Sequence, residues 1–183
     1  MDKEVRKYID DLSSTDDQTR LKALQALLKM TETPVDWVYE VWDSLLGKVG
    51  NENSYQRSIG IMLLCNLAKS DREDRLKGSL DTLLVHTKDE KFITSRQCIQ
   101  NIWKAAATTR TNREKVLKHL EKRFMECEQE KHYNLLRQDM IQSFVMLNQN
   151  TEDHKLLARA QALVEKEQNA KYRKQYEALI KVK

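Results

Sequence analysis

The sequence predicts an all-α fold, a right-handed α-α superhelix of about five antiparallel helix pairs stacked side by side. Three observations point there. Four arginines, Arg20, Arg57, Arg96 and Arg137, stand 37, 39 and 41 residues apart, each near the start of a stretch with apolar residues at helical spacing. A period of about 40 residues marks arrays of helix pairs, in which each unit buries its apolar face against its neighbours. One proline and four glycines in 183 residues leave little with which to build tight strand turns. Charged residues at 33% beside a hydrophobic share of 40% suit long, solvated helices.

The elements follow in order. Val5, Tyr8, Ile9 and Leu12 share one face of a helix over 2–12. Ser13 to Asp17 offers several N-caps before a helix ending at Met30. Pro34 fits the first turn of a third helix, which carries Trp37, Val38, Val41, Trp42, Leu45 and Leu46 and ends at Gly47–Gly50. Asn51 to Ser54 opens a fourth, to Lys69, that is apolar nearly all round and therefore central. Ser70 to Glu73 caps a fifth, to Thr87, with Leu76, Leu80, Leu83 and Leu84 inward; the sixth, to Ala107, turns Ile93, Ile99, Ile102, Trp103 and Ala106 inward. After a polar break at 108–112, helices are expected over 112–129, 132–148, 152–167 and 169–182, the last anchored by Tyr172, Tyr176, Leu179 and Ile180. No Pro-, Ser- or Gly-rich linker interrupts the chain, so 1–183 reads as one domain.

The second helix of each pair, with an early arginine and small or aliphatic residues after it, resembles the HEAT repeat and its armadillo-like relatives. The likeness covers residues 1–148 well and the last pair loosely. It implies that each arginine partners an acidic residue of its turn, forming a structural ladder of Arg20, Arg57, Arg96 and Arg137. The position six residues before each holds Ser14, Asn51, Glu90 or Lys131, so Asp17, Asp89 and Glu130 are the acids near enough to serve instead. A row of arginines gripping phosphates or carboxylates is the alternative, but even spacing fits a scaffold role better.

In such an array the second helices line the concave face. Setting aside the apolar stripe leaves Lys22, Gln25 and Lys29; Ser58, Asn66 and Lys69; Gln97, Gln100, Asn101 and Lys104; and Gln138 and Gln142. Carboxamides donate and accept together, so this row suits an extended peptide or a sugar-phosphate backbone. A second concentration is basic: Arg110, Arg113, Lys115 and Lys118 form a candidate anion site at a helix N-terminus, with Lys122 on the same face as the two lysines. The tail adds Lys171, Arg173, Lys174, Lys181 and Lys183. The net charge of +4 is uneven: residues 1–56 carry 7 basic and 11 acidic side chains, residues 57–100 carry 8 and 6, and residues 101–183 carry 17 and 11.

Catalytic signatures are missing. The chain has no glycine-rich phosphate loop, no His-Glu-x-x-His and no Cys-x-x-Cys, and His86, His119, His132 and His154 are scattered. No cofactor and no bound metal are expected. Cys65, Cys98 and Cys127 are too few and too dispersed for a disulfide framework, and Cys65 and Cys98 sit among apolar residues. No apolar run is long enough to span a membrane, and the charged start Met1-Asp2-Lys3-Glu4 reads as cytoplasmic. The leading expectation is a non-catalytic scaffold that binds a protein or peptide on its concave face. The alternative is nucleic-acid binding, because HEAT-like proteins of similar size include alkylpurine DNA glycosylases; that resemblance would put Trp103 and Asp139 in a basic cleft. Trp103 is in phase with Ile99 and Ala106, which favours the core, as do the settings of Trp37, Trp42, Tyr55 and Phe144.

Overall fold

The computed structural model describes residues 1–151, 153 and 155–181. His154 and Lys183 lie outside them, as do Glu152 and Val182, expected bounds of the last two helices. Among the described residues there are ten α-helices and no strand. They are α1 (Lys3–Asp11), α2 (Asp17–Met30), α3 (Val38–Val49), α4 (Ser54–Leu67), α5 (Arg75–Leu84), α6 (Phe92–Ala106), α7 (Arg110–Glu126), α8 (Tyr133–Thr151), α9 (Lys155–Val164) and α10 (Ala170–Lys181). Single 3-10 turns prolong α4, α5 and α7 over Ala68–Ser70, Val85–Lys88 and Cys127–Gln129. The residues divide into two compact units, Met1–Cys98 and Ile99–Lys183, with the division falling inside α6.

Polar residues at the turns start the helices. Asp2 accepts from the Val5 N–H at 2.8 Å, Asp16 from Thr19 at 2.7 Å and Asn53 from Tyr55 at 2.9 Å, satisfying donors that a first helical turn leaves open. The entry to α5 is different. Asp74, in the left-handed region at φ 57, makes no cap bond, and Asp71 reaches forward to accept the Leu76 N–H at 2.7 Å. Pro34 does not open α3, which begins only at Val38. The intervening backbone is held by the end of the α4 extension, with the Val35 N–H donated to Ser70 Oγ at 3.0 Å, and Trp37 is buried.

In the first unit α1 packs on α2, α3 on α4, and α2 on α4. Short connections make successive helices antiparallel. Helix α4 is central: Ile59, Ile61, Leu63, Leu64, Cys65 and Leu67 are buried, with Gly60 against α3. The turns of neighbouring pairs are stitched by side chains. Gln56 donates its amide to Leu12 O at 2.9 Å, and Lys48 Nζ reaches Ser13 Oγ at 2.8 Å.

Arg57 is the strongest of these links. Its Nε and Nη2 grip the two Asp89 oxygens at 2.8 and 2.7 Å, while Nη1 donates to Asn51 O and Glu52 O. Asp89 belongs to the turn before α6, so the arginine of one pair binds the acid of the next. His86 Nδ1 lies 2.8 Å from the same carboxylate. Burial works to raise the Asp89 pKa, but the Arg57 guanidinium, the Lys91 N–H and His86 outweigh it and hold the value at about 2. A folded value depressed below the ordinary 3.8 means stability fully present above about pH 4 and lost as pH falls toward about 2. The loss should be about 2 kcal/mol. Urea unfolding between about pH 5 and pH 2 measures it. Asp89→Asn should flatten that acid limb, and an unchanged slope in the variant would remove Asp89 as its source.

In the second unit α7 and α9 pack on α8, and α10 on both α8 and α9. Phe124, Met140, Ile141, Phe144, Leu156 and Ala160 are fully buried. Tyr176 anchors α10 as expected. Its ring meets Phe124 edge-on at 6.4 Å, and its hydroxyl donates to Asn134 O at 2.9 Å. Burial, first among its causes, raises that phenol well above its usual pKa. Tyr172 stacks edge-on against Tyr133 at 5.9 Å. Cys65, Cys98 and Cys127 are buried thiols that form no disulfide.

Candidate functional site

Within the first unit α2, α4 and α6 lie side by side and run the same way. Near the end of α4, Asn66 donates to Leu28 O and Thr31 Oγ1 at the end of α2, both at 3.1 Å. Near the start of α4, Ser58 donates to Thr94 Oγ1 at 3.2 Å, and Thr94 donates to Ser54 O. Across these three helices runs an open groove of ≈ 320 Å³, lined by Leu21 and Leu24, by Tyr55, Ile59 and Met62, and by Ile93 and Gln97. Asp17 and Arg20 close one end. Arg20 is ion-paired with Asp17, donates to Ser14 O at 2.8 Å and lies 5.4 Å over the Tyr55 ring.

The groove corrects two sequence expectations. Tyr55, assigned to packing, is 67% exposed, and Ile93, assigned inward, is 62% exposed; Leu21 is 47% exposed. The cause is that α6 already fills its inward face with Thr94, Ser95, Cys98, Ile99 and Ile102, leaving Ile93 one position off that stripe. Likewise α2 buries Ala23 and Leu27, and Leu21 falls off that stripe. Reading every apolar residue at helical spacing as core hid a second stripe. Trp37, Trp42 and Phe144 are buried, and Trp103 is half-buried with Lys104 Nζ 5.8 Å from its ring.

The carboxamide row is not continuous. Lys22, Gln25 and Lys29 are exposed on α2, and Lys69 is exposed with Nζ donated to Glu32 O at 2.9 Å. Asn66 is buried in the bonds given above, so it does not present its amide to solvent. Gln97 sits at the groove. In the second unit Gln100 is exposed and donates to buried Asp139 at 2.9 Å, and Asn101 accepts from Lys104 Nζ at 2.8 Å. Gln138 and Gln142 are half-buried. Asp139, which the glycosylase resemblance would place in a cleft, is held by that Gln100 bond.

The basic cluster is partly neutralised. Helix α7 starts at Arg110, two residues before the expected position, with Thr109 accepting the Asn112 N–H at 3.1 Å. Arg110, Lys115 and Lys118 line a shallow depression together with Glu114, whose carboxylate also binds Arg159. Arg113 turns away toward Asp153 at 3.6 Å, and Lys122 pairs with Glu126.

The arginines have unequal settings. Arg57 and Arg137 are buried and each reaches the turn of the next pair, Arg137 through Nη1 to Glu167 at 2.8 Å. Arg20 keeps to its own turn, with Asp17. Arg96 lies 5.9 Å over the Phe92 ring. Glu130, one of the three acids expected to serve, is gripped by Arg123 at 2.8 and 2.6 Å. Arg173 is a fifth repeat arginine: it donates through Nε and Nη2 to Glu167 O, the carbonyl six residues back, the position to which Arg20 and Arg57 each donate once, at Ser14 O and Asn51 O. Its signal was in the sequence, 36 residues after Arg137.

Among the described residues no three His, Cys, Asp or Glu side chains converge as a metal site, and no helix is long and apolar enough to cross a membrane. No protein-family model and no curated protein matches the chain. Among solved structures, an engineered protein of the Northeast Structural Genomics Consortium matches with a TM-score of 0.58 at 14% identity, over 98% of this chain and 80% of that one. A second engineered protein from the same consortium matches at 0.54 and 12% identity, over 98% and 96%. A designed armadillo repeat protein in complex with the peptide (KR)4 superposes more loosely, at 0.42 and 14% identity over 97% and 98%. At such identities the first two likenesses are of fold. The chain is an all-α helical-repeat protein, as its arginine spacing predicts.

Proposed function

We propose that the chain is a non-catalytic binding module that docks a segment of a partner protein in the groove across α2, α4 and α6. One observation carries this reading: Leu21, Tyr55 and Ile93, from three successive second helices, stand side by side open to solvent. Contiguous apolar surface of this kind, rimmed by polar groups, marks interaction sites more often than isolated exposed residues do. Covering the three should yield about 1–2 kcal/mol each, enough for a reversible partnership once association costs are met. Asp17, Arg20 and Gln97, which line the same groove, supply polar groups beside the apolar ones.

The test is photo-crosslinking in extracts of the producing cells, with a photoreactive phenylalanine at position 55 or at exposed Val85. Position 55 should yield a discrete adduct that position 85 does not. Ile93→Asp should reduce that adduct more than tenfold while shifting stability by no more than about 0.5 kcal/mol, because the side chain is exposed. Equal adducts from both positions, or none, would overturn the reading.

A further inference from the structure

Resting on the docking reading above, we infer that the occupant of the α2–α4–α6 groove is an amphipathic α-helix with a basic flank, rather than an extended peptide. The reason lies in what the groove lacks. An extended segment desolvates backbone N–H and C=O groups and needs partners for them, at a penalty of about 1–3 kcal/mol for each one left unsatisfied. The middle of this groove is Leu24, Ile59, Met62 and Ile93. Ser58 beneath them has donated its hydroxyl to Thr94, and Asn66, which would have continued the carboxamide row, is buried in bonds to α2. Among the described residues that line the groove Gln97 carries the one carboxamide, and a single amide is no ladder for a strand-like backbone. A helix satisfies its own backbone and offers only side chains at i, i+3, i+4 and i+7.

Dimensions agree. Neighbouring helices pack about 8–10 Å apart, so crossing from α2 to α6 spans roughly 20 Å, or about 13 residues of helix. Charge sets the flank. The starts of the three helices form one bank with exposed Asp16, Asp17, Glu52 and Glu90, against Arg20 and Lys91. Arg20 is already paired with Asp17, Arg57 with Asp89 and Glu90, and Lys48 is bonded to Ser13 and Gln56, so the Asp16 and Glu52 carboxylates give the bank its remaining negative charge and favour lysine or arginine along the facing edge of the guest.

Phage display on the intact chain tests this, with a library of sixteen-residue segments in which proline-free members and members with a central proline are equally represented. Enriched segments should be proline-free, carry apolar residues at i, i+3 or i+4 and i+7, and hold basic residues on one flank. As synthetic peptides they should lose at least tenfold in affinity when the central residue becomes proline, when the basic flank becomes glutamate, or when the protein carries Ile93→Asp. Enrichment of proline-containing or alternating sequences that still depend on Ile93 would overturn the helical guest and leave docking standing. No enrichment, or binding indifferent to Ile93→Asp, would overturn both. A doubled mass in light scattering that Ile93→Asp abolishes would place a second copy in the groove and overturn the inference as well.

Discussion

Gly60→Ala should destabilise the first unit by about 2 kcal/mol, while the same change at Gly78 should stabilise it by about 0.5–1 kcal/mol. Both glycines are helical, Gly60 in α4 and Gly78 in α5, so intrinsic propensity favours alanine at each by about 1 kcal/mol. Surroundings decide the sign. A Cβ at Gly60 would lie 2.7 Å from Leu45 O, 2.9 Å from Val49 N and 3.0 Å from Val49 Cγ2. Two of those atoms are backbone, so relief requires α3 and α4 to move apart, and they hold the buried Trp42, Leu45, Leu63 and Leu64 between them. Overpacking of this kind typically loses about 1–3 kcal/mol, and the upper end applies where backbone must yield. At Gly78 nothing lies within 4 Å of the added carbon. Urea midpoints of the two variants provide the measurement. A neutral Gly60→Ala would show that the α3–α4 approach relaxes freely.

Much of this molecule is legible in its sequence because its helices obey one period and its turns carry their own caps. The α4 stretch from Ile59 to Leu67 reads as central and is buried. Asp16 and Asn53 fall within the capping segments expected of them. What the sequence hides is anything that depends on which of two apolar stripes faces inward. Ile93 and Ile99 are both isoleucines on one helix, six residues apart, and only packing against neighbouring elements makes the second core and the first groove. Pro34 shows a related limit, since a residue compatible with a first helical turn is equally compatible with the irregular crossing that Ser70 pins. Polar residues mislead in the opposite sense. Asn66 looks like a binding carboxamide until its depth in the unit is known. The arginine period is legible, but the partner of each is not, because the acid that answers Arg57 comes from the following pair, 32 residues on.

That unevenness along the ladder yields the largest expected loss. Glu167→Ala should destabilise the second unit by about 3–5 kcal/mol, whereas Arg20→Ala should lower the stability of the first by less than about 1 kcal/mol. Arg137 and Glu167 are 2% and 1% exposed, and their ion pair is 2.8 Å long. Arg137 is fixed further by Nε donated to Phe124 O at 3.0 Å, with the Phe124 and Tyr133 rings 4.6 and 5.1 Å from its guanidinium. Glu167 also accepts the Asn169 N–H at 2.9 Å, which shapes the turn into α10. Deleting the carboxylate leaves a guanidinium that cannot discharge itself in a site closed to water. The Arg20 side chain is 16% exposed, but its partner Asp17 is 84% exposed, so losing that solvated pair strands no charge and the same residue type at the same repeat position contributes little. Arg137→Met with Glu167→Met together should cost less than the sum of the single changes, since replacing both charges removes the stranded one. Equal losses for Glu167→Ala and Arg20→Ala in urea unfolding would contradict this, because the arginines would then act through their shared repeat position instead of through burial.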